Sequence, residues 1–251
     1  MGKTYRKYKI DEDFLLKESP EKYYFLGYFL ADGHLSKESN QIIFEGKDID
    51  IFNYLKKILK SEHPIKCRKR DTNCYIQFSS KKLLMDLVKK YNIRSNKAHN
   101  ITMPIIPKKY FAEFLLGFID GDGSIYLTKG KYVNLDLASM SNQFLKSIRN
   151  KIKELIGATG SYYYPRITYG YTETDAIRNY IYKNNKLAYK SKKLSRYPLK
   201  PNLRWRKWLI HDLEYLIKNY KYMLYKDIAK YLKRSVGSIE TILKKRNLRK
   251  K

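Results

Sequence analysis

Residues 25–33 read Phe-Leu-Gly-Tyr-Phe-Leu-Ala-Asp-Gly, and residues 115–123 read Leu-Leu-Gly-Phe-Ile-Asp-Gly-Asp-Gly. The two stretches are in register and define an internal repeat. Each is an apolar run of helical character with a glycine at its third place, Gly27 or Gly117, and an Asp-Gly end. Glycine inside a helix costs about 1 kcal/mol relative to alanine. Close approach of a second helix backbone is the usual compensation. The terminal glycines, Gly33 and Gly123, predict a left-handed turn that stops each helix. Asp32 and Asp122 then sit at helix C-termini, where the macrodipole disfavours negative charge. Acids held against that field point to function, and a metal cation is the natural partner.

The stretches downstream of the two copies are also parallel. After the first come a strand or hairpin over His34 to Phe44 and a helix over Asp48 to Lys60, with apolar spacing at Ile51, Leu55, Ile58 and Leu59. Two short strands, at Cys67 and from Cys74 to Ser79, and a helix over Lys82 to Tyr91 complete that half. After the second come a hairpin from Ser124 to Leu127 and Tyr132 to Ala138, and a helix over Phe144 to Ile156. A strand pair over Tyr162 to Tyr169 and a helix over Thr172 to Tyr182 complete the other half. The pattern predicts an α+β fold of tandem αββαββα repeats, related by a pseudo-twofold and forming a saddle. The halves are placed at residues 1–105 and 106–197.

These residues resemble the LAGLIDADG homing endonucleases in their monomeric form with two motif copies, over roughly residues 20–197. The second motif is close to the family pattern, and the first departs from it at Leu30, where many members carry an acid. The family's metal-binding acid is the eighth motif position, here Asp32 and Asp122. Asp120 matches the sixth position, which supports the helix end. The resemblance implies a Mg²⁺ or Mn²⁺ site in which the backbone carbonyls of Ala31 and Gly121 complete the shell. It implies one aspartate per strand across the minor groove, and a double-strand break with 3′ overhangs. Divalent ions would supply activated water and charge stabilisation at the phosphates. Family members carry a lysine after the last helix of each half. Lys97 and Lys193 are the candidates here, with Lys190 and Lys192 competing for the second place.

Composition agrees with a polyanionic partner. Lys plus Arg is 53 against 24 Asp plus Glu, a formal net charge of +29. With 43% hydrophobic residues and 25 Tyr, the chain is too apolar and aromatic for a disordered polycation. A folded body of that charge repels itself unless a polyanion neutralises it, which points to nucleic acid. The expected ligand is double-stranded DNA, with intron RNA as a further class. Alternating strand residues on the concave sheet face would meet the groove. Candidates there are Gln41, Glu45, Lys66, Arg68, Arg70, Gln77, Lys129, Lys131, Asn134, Tyr163 and Arg166. No apolar run approaches the ~20 residues needed to span a bilayer, and the N-terminus lacks the apolar core of a signal peptide. The expected location is intracellular, with the DNA, in the cytoplasm or nucleoid of a bacterium or phage-infected cell, or in an organelle. Cys67 and Cys74 flank a polar turn and are expected as free thiols in a reducing compartment. No zinc-type spacing links them to the four histidines.

Residues 186–210 carry nine Lys or Arg and no acid. Within them, 198–206 is read as a basic linker to a small all-α unit at 207–251. That unit has three helical patterns: Leu209 to Tyr220, burying Leu213, Leu216 and Ile217; Tyr225 to Leu232; and a third capped by Ser235. Ala229 and Ile239 occupy the small and β-branched positions of a helix-turn-helix, which this stretch resembles. Ser238, Thr241 and Lys245 on the third helix would reach DNA, since the N-terminal residues of that helix enter the major groove in such modules. The leading functional reading is a metal-dependent, site-specific DNA endonuclease. The alternatives are a DNA-binding transcriptional regulator on the same fold and an RNA-binding intron maturase. No intein-like splicing termini are seen, so an intein is not expected.

Overall fold

The computed structural model describes residues 7–68, 73–93, 101–128, 132–197 and 208–248. The first half runs α1 (Pro20–Asp32), β1 (His34–Ser36), β2 (Gln41–Gly46), α2 (Ile49–Ile58), β3 (Ile65–Cys67), β4 (Cys74–Ser79) and α3 (Lys81–Tyr91). The second runs α4 (Phe111–Asp122), β5 (Gly123–Thr128), β6 (Tyr132–Ala138), α5 (Asn142–Ile156), β7 (Ser161–Tyr163), β8 (Arg166–Tyr169) and α6 (Tyr171–Asn184). Each half therefore has the order α-β-β-α-β-β-α. Each builds a four-stranded antiparallel sheet, ordered β1-β2-β4-β3 in one and β5-β6-β8-β7 in the other.

Helices α1 and α4 form the centre. Every residue from Tyr23 to Leu30 is buried, as is every residue from Phe111 to Asp120. A helix apolar on all sides has no face to give to water and belongs in the interior. The two helices touch backbone to backbone. A methyl on Gly27 would lie 2.0 Å from the Phe114 carbonyl oxygen, and one on Gly117 would lie 2.1 Å from that of Tyr24. Helices α2, α3 and α5 are amphipathic and cover the sheets with one face, as α5 does with Phe144, Leu145, Ile148 and Ile152. Serine starts many of them. The hydroxyls of Ser19, Ser80, Ser141 and Ser235 each accept a backbone N–H in the first turn, a cap worth about 1 kcal/mol.

Expectations about two glycines and two cysteines need correction. Gly33 and Gly123 are not left-handed. Their φ, ψ are −73°, 147° and −81°, 141°, ordinary extended backbone. Glycine is needed there for space: a methyl on Gly33 would lie 2.2 Å from the Phe29 ring, and one on Gly123 would lie 2.5 Å from the Ile119 carbonyl oxygen. At each of these ends the chain turns directly from helix into strand over the helix's last turn. The cysteines are also not free. The β3–β4 register sets Cys67 opposite Cys74, with Cα atoms 3.9 Å apart, and a disulfide joins them. Compartment says nothing about register, and register decides the pairing.

After α6 a short helix, α7 (Lys192–Ser195), closes back on the core. The expected linker at 198–206 lies outside the described residues. Beyond it α8 (Ile210–Asn219), α9 (Tyr225–Tyr231) and α10 (Val236–Lys245) share a separate small core of Leu216, Tyr220, Ile228, Ala229, Leu232, Ile239 and Leu243. Ile217, expected inside, is 42% exposed. The neighbouring helix face instead buries Asp212, whose carboxylate accepts from Arg234 at 2.9 Å, and the Arg234 guanidinium lies 4.1 Å from the Trp208 ring centroid. A periodicity count cannot see an acid buried by a partner 22 residues away. The start of α8 rests on the end of α5. The Ile210 N–H donates to the Gly157 carbonyl at 3.1 Å, and His211 Nε2 donates to that of Glu154 at 3.0 Å. Gly157 holds φ +79° at this junction, a conformation that favours glycine.

Candidate active site and nucleic-acid interface

The contact of α1 with α4 carries their two C-terminal ends together. A methyl on Gly121 would lie 2.3 Å from Ala31 Cβ and 3.4 Å from the Asp32 carboxyl carbon. The Asp32 carboxylate thus lies beside the residue that precedes Asp122. Asp32 is exposed and Asp122 is half-buried. Two carboxylates at two helix C-termini concentrate negative potential in one place, which attracts a cation.

A cation of the chain's own stands at that place. Lys193 Nζ donates to the carbonyl oxygens of Gly121 at 2.6 Å, Gly123 at 3.2 Å and Ile119 at 3.5 Å. Gly121 is in the last turn of α4, where carbonyls run out of helical partners, whereas the Ile119 carbonyl already accepts the Gly123 N–H and Gly123 begins β5. The lysine is delivered by α7, which is fastened from three sides. The Ser191 hydroxyl accepts the Leu194 N–H and donates to the Asp120 carboxylate. Buried Arg178, on α6, donates from Nε to the Leu194 carbonyl at 3.1 Å and from Nη2 to that of Tyr197. Of the three competing lysines, Lys193 turns to the helix tip, Lys192 pairs with Asp50 of the first half, and Lys190 is exposed. Lys97 lies outside the described residues.

Asp120 is buried between the halves. The Tyr24 hydroxyl, on α1, donates to it at 2.9 Å, and Ser191 donates to its other oxygen. Burial pushes its carboxyl up to about 6, against the hydrogen bonds and the nearby Lys193, which favour the charged form. The equivalent place in the first motif is Leu30, also buried, so the two halves differ chemically behind their tips. The identities of Tyr24 and Ser191 as partners had no signal in the sequence, because both depend on how the halves meet.

Among the described residues no group of three or more His, Cys, Asp or Glu is arranged to hold a metal. The donors at the tips suit a hard divalent ion that keeps most of its waters, since two carboxylates suffice for Mg²⁺ when phosphate oxygens complete the shell. The Gly121 carbonyl is engaged by Lys193, so an ion using that oxygen would share it with an ammonium or displace one.

On the first sheet, Glu45, Tyr75 and Gln77 face outward with Asp32, His34, Ile43 and Arg68 around an open groove of about 540 Å³. Gln41 and Lys66 border the adjoining hollow. Arg68 pairs with Glu45 at 3.0 Å. On the second sheet Asn134, Arg166 and Tyr163 lie on the outer face, and Asn134 donates to the Thr128 hydroxyl at 2.8 Å. Arg166 is bound to Asp136 at 3.2 Å, an acid that sequence reasoning passed over. Arg70, Lys129 and Lys131 lie outside the described residues. On α10, Thr241 and Lys245 are exposed and Ser238 is half-buried; the Thr241 hydroxyl donates back to the Gly237 carbonyl at 2.7 Å. No helix among the described residues is long and apolar enough to cross a membrane.

Paired acid-tipped helices over two four-stranded sheets define the two-repeat LAGLIDADG fold. Residues 109–193 match the LAGLIDADG-like domain family. The structure of the homing endonuclease I-WcaI bound to its DNA recognition sequence is similar, with a TM-score of 0.54 at 15% identity, over 73% of this chain and 91% of that one. The N-terminal LAGLIDADG domain of WhiA aligns with a TM-score of 0.47 at 15% identity, over 74% of this chain and 92% of that one. A probable translation initiation factor IF-2 of Methanocaldococcus jannaschii is 27% identical over 215 residues, 75% of this chain and 18% of that protein. Its counterpart in Thermococcus kodakarensis is 30% identical over 145 residues, 53% of this chain and 12% of that protein. A replication factor C small subunit of Methanocaldococcus jannaschii is 34% identical over 106 residues, 40% of this chain and 6% of that protein. The chain thus spans less than a fifth of each of these relatives.

Proposed function

We propose that this protein is a site-specific double-strand DNA endonuclease. One observation carries the reading: the acids of the two motifs, Asp32 and Asp122, end two helices packed so closely that the Asp32 carboxylate lies against Gly121. In this reading Asp32 and Asp122 would hold Mg²⁺ or Mn²⁺. The ion supplies an acidified water and neutralises charge on the phosphoryl oxygens. The chain's own residues do the rest. The outer faces of the sheets, with Lys66, Gln77 and Arg166, hold the duplex, and Lys193 keeps a fixed positive charge beside the acids. An N–H now spent on the distant Ile119 carbonyl can turn to a phosphate oxygen and stabilise charge that develops there. The α8–α10 unit acts as a helix-turn-helix that extends the footprint through Ser238, Thr241 and Lys245. The protein acts as a monomer, because both motif copies lie in one chain. Similar segments inside a translation factor and a replication factor support a portable unit, since the named tasks of those proteins have nothing in common.

A second reading, a DNA-binding regulator without cleavage, is favoured by the Lys193 ammonium on the Gly121 carbonyl, where a metal ligand was expected. One experiment separates the two. The protein is incubated with a library of DNA duplexes, with and without Mg²⁺, beside Asp32→Asn and Asp122→Asn. The endonuclease reading expects Mg²⁺-dependent double-strand cuts at few sites. Either substitution should abolish them while binding stays intact or tightens, since a negative charge near phosphates is removed. A double variant that cuts at the wild-type rate removes the assignment of the acids. Selective binding without cuts in any variant supports the regulator.

A further inference from the structure

Three side chains from three strands meet on the outer face of the second sheet. Asp136, on β6, has a side chain only 8% exposed, whereas that of Arg166, on β8, is 59% exposed. Arg166 Nη1 donates to Asp136 Oδ2 at 3.2 Å, and the Tyr126 hydroxyl, on β5, donates to Oδ1 at 3.3 Å. Strand register fixes the group: Ser124 and Thr168 flank Asp136, and Ala138 pairs with Arg166. Both carboxylate oxygens are therefore engaged by neighbours on paired strands.

Charge sets the consequence for binding. A carboxylate beside a guanidinium cancels most of its field at a distance, so the pair releases few counterions from DNA and makes a poor phosphate grip. The pair retains direction. The guanidinium is a rigid planar fork; Asp136 holds it from below by one nitrogen, and its exposed part is aimed rather than free to search. A fork held in this way matches two acceptors side by side, which the O6 and N7 atoms of guanine present in the major groove. We infer that Arg166 reads a guanine in the half-site under the second sheet, with Asp136 and Tyr126 as positioning residues. The inference rests on the reading that this sheet faces DNA. Arg68 on the first sheet contrasts with it. Both of its terminal nitrogens are spent on Glu45, at 3.0 and 3.4 Å, in a pair half-open to solvent on both sides.

The test uses the full chain in Ca²⁺, equilibrated with a pool of randomised DNA duplexes whose bound fraction is sequenced. The wild-type protein should fix guanine at one position under the second sheet. Arg166→Lys keeps the charge and loses the fork, and should weaken that preference by about 5- to 150-fold, with the salt dependence of binding unchanged. Tyr126→Phe and Asp136→Asn should relax the same position by a smaller factor and leave other positions alone. Arg166 is exposed, so its substitution leaves the core intact, and melting curves check the fold of Asp136→Asn. An unchanged base profile in Arg166→Lys overturns the inference and leaves DNA binding standing. A uniform loss of affinity with a shallower salt slope also overturns it, in favour of a phosphate contact. A wild-type protein that binds no duplex removes the DNA reading itself, and the inference with it.

Discussion

Asp120 is a residue whose environment and charge disagree. Its carboxyl is buried and pushed up to about 6 from an ordinary value of 3.8. Between these values the folded protein keeps a proton that the unfolded chain has released. Stability therefore falls as pH rises through roughly 4 to 6, and above 6 the loss is complete. A rise of that size corresponds to about 3 kcal/mol at most. Asp120→Asn should flatten that part of the stability curve, because the amide keeps an acceptor for the Tyr24 hydroxyl and never ionises. Urea unfolding in metal-free buffer at pH 4, 6 and 8 measures the difference between the two proteins. Parallel curves would mean that Asp120 is ionised throughout and that its hydrogen bonds outweigh its burial. The neighbouring Asp122 is only half-buried, which matches its proposed work as a carboxylate open to an ion. One helix end thus presents a buried acid inward and a half-buried acid outward.

At the level of elements, the central helix pair is the most legible part of the molecule. Gly27 and Gly117 announce a close backbone approach because a mid-helix glycine needs a reason. The structure supplies one, with methyl positions 2.0 and 2.1 Å from opposing carbonyl oxygens. Gly27→Ala and Gly117→Ala should each force the helices apart and cost about 3 kcal/mol or more, at the upper end for overpacking. Thermal melts read the loss, and a change under about 1 kcal/mol in either, the low end for overpacking, would show that the interface is soft. The strands and amphipathic helices are legible for the same reason, since local periodicity reports local burial. Features that depend on two distant segments are not. The Cys67–Cys74 bond depends on register, Ser191 and Tyr24 meet Asp120 only through the packing of the halves, and Asp136 is buried by an arginine 30 residues later. The choice of Lys193 over Lys190 and Lys192 requires knowing which way a four-residue helix turns. Gly33 and Gly123 stand out in the sequence as special positions but not for their actual cause, because crowding and left-handed backbone leave the same letter.

Across the whole molecule, charge and modularity set the behaviour. A net charge of +29 on one folded chain predicts on the order of 10 phosphate contacts, and so a log–log salt slope of roughly −9. Filter binding or anisotropy between about 50 and 300 mM salt measures it, and a nearly flat response would argue against nucleic acid as the main ligand. The second consequence concerns the α8–α10 unit. A chain ending at Tyr197 keeps both central helices, both sheets, Lys193, and the Arg178 hydrogen bonds to Leu194 and Tyr197 that fasten α7. It should fold and, if the proposed activity holds, cut. The small separate core around Leu216, Ile228 and Ile239 is lost, together with the docking of α8 on Gly157 and Glu154. Among the described residues that docking includes two backbone-directed hydrogen bonds at the end of α5, so removing it should lower the stability of the core only slightly. Binding should change more. A tethered second module binds at high effective concentration, so even weak contacts from α10 multiply the affinity of the core. The shortened chain should therefore bind more weakly and less selectively. Its loss should be greatest on duplexes extended at one end, because a pseudo-symmetric core carries a single tail. Footprints of the two chains on one DNA decide the matter. Equal footprints and affinities would mean that α8–α10 makes no contact with DNA and serves another partner or the core itself.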